Sequence, residues 1–443
     1  MREVVRSESA ILRLVSLLLV AMAVVFGITA GLAFERVERD IKTISQDSAP
    51  SVMLAGRIRE GLVAMDANAV NGFLLGASRE DVSEFDDRKD DTVLQLVQAA
   101  GNATYGESEL ASIRALVSGL ADYTGYVRAS RMMGNPAGIP QQVTASQFLH
   151  QQVLPASEAL DRTNFGPMVA TAHSGGEQVF SLALKVSGWS LVMCLVAVQV
   201  GIAIRFRRVF NPALILALLL ATVSVWRVDR ELDVMQVTLK QAVDNAFASV
   251  HALSKASSLA HDFNGDESLY LLTTGDRASQ MYFEDAFRQK LSHVISAPVT
   301  PRVREQFAEG IVRHEKVAYD GYLADALNNV TFPGEDKLAL AAFDALRSYL
   351  EVDQRIRDLE QGGQHGKAVE LALGNNPGQS NYAFAQVTGA LTDLATLNLR
   401  VFQRQIDEAK ARLRTDKLLS AFPLSAVALL VLLGVRFRIK EFS

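Results

Sequence analysis

The 443-residue chain has one cysteine, Cys194. A lone thiol forms no disulfide within the chain, and a thiolate zinc site needs several. His-Glu-x-x-His is missing among the seven histidines, so the zinc-protease pattern is excluded. Gly374-Asn375-Asn376-Pro377-Gly378-Gln379-Ser380-Asn381 lacks the Lys-Ser/Thr of a phosphate loop, and reads as a turn with Ser380 or Asn381 capping the next helix. There is no nucleotide fingerprint and no nucleophile beside a base. The expectation is a protein that is not an enzyme, with no cofactor, no metal and no nucleic-acid partner. Strand signals are scarce too: neither Asn-Gly turns between alternating runs nor clusters of β-branched residues occur in quantity.

What the chain has instead is four stretches without Asp, Glu, Lys or Arg, at 14–34, 186–204, 209–226 and 418–435. Each is about the length a helix needs to cross some 30 Å of hydrocarbon. The first exceeds the usual apolar core of a signal peptide and reads as an uncleaved anchor. Three short pieces flank them, at 1–13, 205–208 and 436–443, with nine basic groups (Arg2, Arg6, Arg13, Arg205, Arg207, Arg208, Arg436, Arg438, Lys440) against three acidic. The positive-inside rule assigns these pieces to the cytoplasm and segments 35–185 and 227–417 to the outside. Of the formal net charge of −5, the short pieces carry +6, which leaves −11 on the rest. Cytoplasmic sequence then amounts to 25 residues, too few for a kinase or nucleotide-binding domain, so any cytoplasmic output runs through a partner. Arg205-Phe206-Arg207-Arg208 and Arg436-Phe437-Arg438-Ile439-Lys440 share an Arg-Phe-Arg core, and are candidate contacts for a soluble protein or for membrane lipid.

Both outer segments have a helical period, as in Ile58, Leu62, Met65 and in Leu110, Ile113, Leu116, Leu120. Breaks near Gly76, Gly101 to Gly106, Gly134 to Pro140 and Gly166-Pro167 divide the first into four helices. Those near Gly275, Ala297 to Pro301, Asn328 to Gly334, Gln361 to Gly363 and Gly374 to Gly378 give the second the same plan with one extra helix or kink. Ordered matches link the segments: Ser51-Val52 with Ser249-Val250, Leu120-x-x-Tyr123-x7-Arg131 with Leu346-x-x-Tyr349-x7-Arg357, and Val153-x2-Ala156-x7-Asn164 with Val387-x2-Ala390-x7-Asn398. The plan is a tandem repeat of span, bundle, span.

In the last outer helix Phe384, Val387, Leu391, Leu394, Phe402, Ile406, Ala409 and Leu413 form a bundle seam. From Tyr382 to Lys417 it is 36 residues, about 54 Å long, and suited to carry a displacement to the fourth span. The matching helix of the first segment is expected to be interrupted at Gly166-Pro167 and Gly175-Gly176.

Within otherwise apolar helices, Asp66, Asn68 and Asn71 in the first segment and Asp262, Asn264 and Asp266 in the second form outer polar patches. These either satisfy one another across the bundle or meet a small molecule. Calcium is a poor fit, because Gly265 falls fourth from Asp262 rather than sixth and no Glu stands twelfth. Each histidine reads as a structural residue.

The fold class expected is all-α: an integral membrane protein with four transmembrane helices and two extracytoplasmic, four-helix-bundle-like domains. In that architecture the chain resembles the GlnX-type actinobacterial membrane proteins. The resemblance implies a signalling adaptor that reports aspartate, glutamate or glutamine availability, linking an extracytoplasmic solute-binding lipoprotein to a soluble cytoplasmic serine/threonine kinase. It carries over no binding residue. The alternatives are a membrane component of an ATPase-driven transport or export system, and a structural envelope tether.

Overall fold

A computed structural model of the protein describes residues 2–76, 79–173, 178–206 and 211–440. All secondary structure among them is helical. In chain order the helices are α1 (Arg2–Lys42), α2 (Ala49–Leu74), α3 (Arg79–Gly101), α4 (Glu107–Met133), α5 (Ile139–Phe148), α6 (Leu154–His173), α7 (Gln178–Phe206) and α8 (Pro212–Gln241). There follow α9 (Ala248–Leu272), α10 (Arg277–Val294), α11 (Pro301–Arg313), α12 (Tyr322–Asn328), α13 (Glu335–Gln361), α14 (His365–Leu373) and α15 (Ser380–Lys440). Wider π-helical turns join α1 to α2 (Thr43–Ser48), α5 to α6 (Leu149–Val153) and α8 to α9 (Ala242–Phe247).

The chain divides into two compact units. Unit 1 is Met1–Ile44, Ala170–Gln241 and Arg404–Ser443; unit 2 is Ser45–Val169 and Ala242–Gln403. In unit 1 the N-terminal helix packs on α7 and α8, and Leu19, Phe26, Ala30, Leu191, Ala217 and Ala221 on these helices are buried. Leu14, Leu17, Leu18, Leu182, Met193 and Leu219 point outward and are exposed, as side chains facing lipid would be. Among the described residues three helices are long and apolar enough to cross a membrane, Ala10–Leu74, Ser181–Ile204 and Pro212–Leu272. The fourth uncharged stretch lies in α15, where Leu424–Arg436 is a shorter apolar run. Asn211 Nδ2 donates to the carbonyl of Gly434 at 3.0 Å, and ion pairs Arg227–Asp416, Lys417–Glu38 and Lys185–Asp229 join its helices.

In unit 2 the segments 45–169 and 242–403 share one body. α2 lies against α9 so closely that a Cβ on Gly56 would stand 2.2 Å from Ser254 Oγ. Val70 and Phe73 of α2 complete a core otherwise built from the second segment, around Phe263, Phe307, Phe343 and Tyr349. A second core gathers Ile58, Leu62, Leu116, Tyr123 and Val153. The seam of α15 is buried at Val387, Leu391, Leu394, Phe402, Ile406, Ala409 and Leu413, while Phe384 is half-buried.

Three sequence expectations are corrected. Pro167 does not break its helix, because α6 runs to His173; buried Leu160 and Met168 on either side hold the turn that lacks one amide hydrogen bond. Gly175-Gly176 lies outside the described residues. The second segment carries more than one additional helix, with α11, α12 and α14 interposed. Neither Ser380 nor Asn381 serves as the cap of α15 through its own oxygen. Asn381 Nδ2 donates to Leu373 O, and Ser380 is drawn inward to a buried carboxyl described below.

Candidate functional site

Apolar surface on α2 and α9 positions the polar groups between them. Asp66 faces into the core of Ile58, Leu62 and Tyr123, buried, and accepts from Tyr123 Oη at 2.9 Å and Ser146 Oγ at 2.8 Å. Burial raises its carboxyl above the ordinary range, against the opposing charge of His150.

His150, on the π-helical turn before α6, bridges the segments. Its Nδ1 is 2.7 Å from Ser146 O and its Nε2 2.5 Å from Asp262 Oδ1. Both ring nitrogens face acceptors, which favours the doubly protonated ring, while Lys290 Nζ, 3.3 Å from Nε2, opposes that charge. Burial alone would disfavour that cation, but the charge and hydrogen bond of Asp262 outweigh it and push His150 up to about 9. Lys290 of α10 lies 2.7 Å from both Asp262 and Asp266. Burial opposes ionisation of Asp262, yet His150 and Lys290 prevail and hold it well below the usual carboxylate range. Asp266 goes the other way, lifted to about 7 by burial and then by Asp262, with Lys290 opposing.

Two further histidines make the same kind of crossing. His251 Nε2 lies 2.9 Å from Asp161, which also pairs with Lys255 at 2.9 Å, and Phe165 stacks on the His251 ring at 3.9 Å. His261 Nε2 lies 3.6 Å from Glu60. Burial works against both carboxylates, but these partners hold Asp161 and Glu60 below their ordinary values. Three histidine–carboxylate pairs therefore join residues 45–169 to residues 242–403.

Deeper in the second segment, Glu267 accepts from Tyr349 Oη at 3.0 Å and Ser380 Oγ at 2.9 Å. Burial, then the charge of Asp353, pushes Glu267 up to about 8. Arg357 makes two 2.9 Å hydrogen bonds to Asp353, and its guanidinium is 4.8 Å from the rings of both Tyr270 and Phe287. Asp66 with Tyr123 and Ser146 has the same make-up as Glu267 with Tyr349 and Ser380. Likewise Glu109 accepts the amides of Thr104 and Tyr105, and Glu335 those of Thr331 and Phe332. Asn164 and Asn398 each donate to the carbonyl four residues back.

Of the residues singled out from sequence, Asp66, Asp262 and Asp266 come together around His150 and Lys290. Asn71 accepts from Ser268 Oγ at 2.7 Å, Asn264 Nδ2 donates to Tyr349 Oη at 3.5 Å, and Asn68 is half-buried. Glu267 stands in the same polar stretch, but His150 and Lys290 carry no local signal that would pair them with Asp262. Of the basic candidates, Arg436 is exposed on α15, Arg205 lies on α7, and Arg438 and Lys440 lie at the end of α15. Arg207 and Arg208 lie outside the described residues.

His150, Asp266 and Glu267 share one sign of linkage. Each folded value, about 9, 7 and 8, exceeds its ordinary value of 6.5, 3.8 or 4.5, so the folded state keeps protons that the unfolded chain releases. Their contribution is complete below the ordinary values and is lost as pH rises through the folded ones. Asp262, Asp161 and Glu60 act oppositely, and lose theirs only on acidification through their lowered values. Thermal unfolding of the purified full chain is expected to show a falling midpoint from about pH 6 to about pH 9, and His150→Gln should flatten the fall. A midpoint that climbs over this range would contradict the assignment.

Residues 40–171 match the family model described as an actinobacterial sensor domain. No curated protein and no solved structure shows significant similarity to the chain. With its three long apolar helices, the match supports an actinobacterial sensor protein, with a sensing or signalling role at a membrane.

Proposed function

We propose that the chain is a four-span signalling adaptor, with a tandem pair of outer bundles for input. The reading rests chiefly on the three ionisable pairs that join the two outer segments. We read these contacts as a latch, closed when the carboxylates hold His150, His251 and His261, and open when a ligand or partner competes. The recurrence of the carboxyl–Tyr–Ser set, of the doubly bonded Glu and of the back-bonded Asn supports the duplication. The chain passes between its units at 44/45, 169/170, 241/242 and 403/404, so four connections are available to carry a change.

Moving such a switch from 1:99 to 99:1 takes about 5.5 kcal/mol of differential affinity, which a protein interface supplies more readily than a lone small molecule. We therefore take the outer input to be a solute-binding lipoprotein that reports aspartate, glutamate or glutamine. The inner output is a soluble serine/threonine kinase held by Arg205, Arg207, Arg208, Arg436, Arg438 and Lys440. These partners are those the family resemblance implies.

The test is crosslinking in intact membranes of the native host, followed by purification of the chain and identification of what comes with it. The expected result is recovery of a solute-binding lipoprotein and a soluble kinase, the kinase being lost when the six basic residues are changed to Ala. Recovery of an ATPase would replace the adaptor with a transport component. Recovery of envelope proteins alone would leave a tether.

A further inference from the structure

Unit 2 contains a cavity beside one of the three crossings. It measures about 610 Å³, opens to solvent, and is walled by residues 316–320, by the start of α12 and by α9, with Phe165 of α6 at one side. Its main wall comes from a part of the chain with no match in the first segment. There α3 passes to α4 through residues 102–106, whereas α11 and α12 are interposed between α10 and α13.

That wall is held in place. The Asn328 side chain bonds both the amide and the carbonyl of Val317, at 2.8 and 2.9 Å. Ser296 does the same for Asp320, its amide donating to Asp320 O and its Oγ accepting from Asp320 N, both at 2.8 Å. Gly321 has φ 118°, and a Cβ there would stand 2.6 Å from Val294 O. A fixed wall lowers the ordering cost of binding.

The lining has two chemistries. Tyr319, Tyr322 and Phe165 present rings, and Ala248, Ala252 and Val317 add apolar surface. Asp320 and Asp325 present exposed carboxylates, with Lys316 the one lysine among the lining residues. Burial and then the charge of Asp320 raise the Asp325 carboxyl above its ordinary value, with Lys316 opposing, so this wall of the cavity carries an excess of negative charge. A metal ion lacks its ligand set, since no group of three or more His, Cys, Asp or Glu is placed to hold one among the described residues. An ammonium group on a hydrocarbon body can use both the carboxylates and the rings.

We propose that this cavity binds a small organic ammonium compound, its charged nitrogen at Asp320 and Asp325 and its carbon skeleton against Tyr319 and Phe165. The site adjoins the latch. His251 lines the cavity while pairing with Asp161 of the other segment, and Phe165 lines it while stacked on His251. A ligand here therefore bears on one of the three crossings. That this makes it a signal input rests on the function proposed above; the binding does not.

The test is isothermal titration of the full-length protein in lipid nanodiscs with putrescine, choline and calcium chloride. Putrescine or choline should bind saturably. Asp320→Asn combined with Asp325→Asn should weaken that binding by about tenfold or more. Tyr319→Ala should weaken it also, and Asp336→Asn, outside the cavity, should leave it unchanged. All four positions are at least partly exposed, and a melting curve confirms that each variant is folded. No binding of either amine, binding indifferent to the paired Asn substitutions, or calcium binding with the same dependence would overturn the site. Amine binding that leaves partner recovery from membranes unaltered would keep the site and remove it from signalling. Loss of the partners with binding intact would remove the adaptor and leave the site.

Discussion

Asp262→Ala is expected to destabilise unit 2 by about 3–5 kcal/mol, the range for taking one partner from a buried charge cluster. Asp262 is nearly inaccessible and is the carboxylate on which His150 and Lys290 converge, at 2.5 and 2.7 Å. Without it Lys290 retains Asp266, but His150 loses its counter-ion while staying partly buried. Burial then dominates, and the imidazole loses its proton on folding instead of holding it. The sign of its pH dependence inverts with it. In the wild type the His150 contribution is present below 6.5 and lost as pH rises through about 9; in the variant it is present above 6.5 and lost as pH falls through the lowered folded value. Denaturant midpoints monitored by circular dichroism at mildly acidic and mildly basic pH measure both effects. Replacing His150 and Asp262 together with Leu should recover part of the loss, because no unpaired ion is left behind. A single-variant loss under about 1 kcal/mol would mean that water reaches the cluster and that it is no latch.

Much of the helical plan could be read from the sequence, and the reason is local chemistry. Gly106, Gly134, Gly275, Gly334 and Gly378 all have positive φ and punctuate the chain where helices end or begin. The seam from Val387 to Leu413 is buried because a three-and-four spacing leaves it one side to face. The polar positions on α2 and α9 were visible for a similar reason, as short polar groups where the period demands apolar ones. What they pair with was not visible. His150 and Asp262 are 112 residues apart, and His251 and Asp161 are 90, so each contact depends on how α6 and the turn before it lie against α9. The same applies to Ser380, whose position before a helix favours capping, but whose hydroxyl instead satisfies Glu267. Pro167 shows the converse, a strong local signal overruled by packing on both sides of it.

The second large effect is expected at Arg357, and its pH dependence separates loss of charge from loss of bulk. Arg357→Ala removes a side chain only 5% exposed that carries both hydrogen bonds to Asp353 and lies between Tyr270 and Phe287. Asp353 and Glu267 are then two buried carboxyls without their nearest cation, and the expected cost is about 3–5 kcal/mol. Burial already raises both above their ordinary values, with Arg357 opposing. Removing Arg357 lifts them further, so the variant folds with protons that its unfolded chain gives up. Its deficit should therefore widen as pH rises from about 5.5 to about 8.5, whereas a mere cavity would cost the same at both. Arg131, half-buried with its guanidinium 4.5 Å from the Phe85 ring, is the comparison from the first segment. Its Ala variant should lose only about 1 kcal/mol, with little pH dependence. Asp353→Leu combined with Arg357→Met should restore most of the stability, since two apolar side chains replace the pair. If Arg357→Ala and Arg131→Ala prove equally mild, the buried pair does not organise the second bundle, and the core around Phe263 and Tyr349 must hold Glu267 unaided.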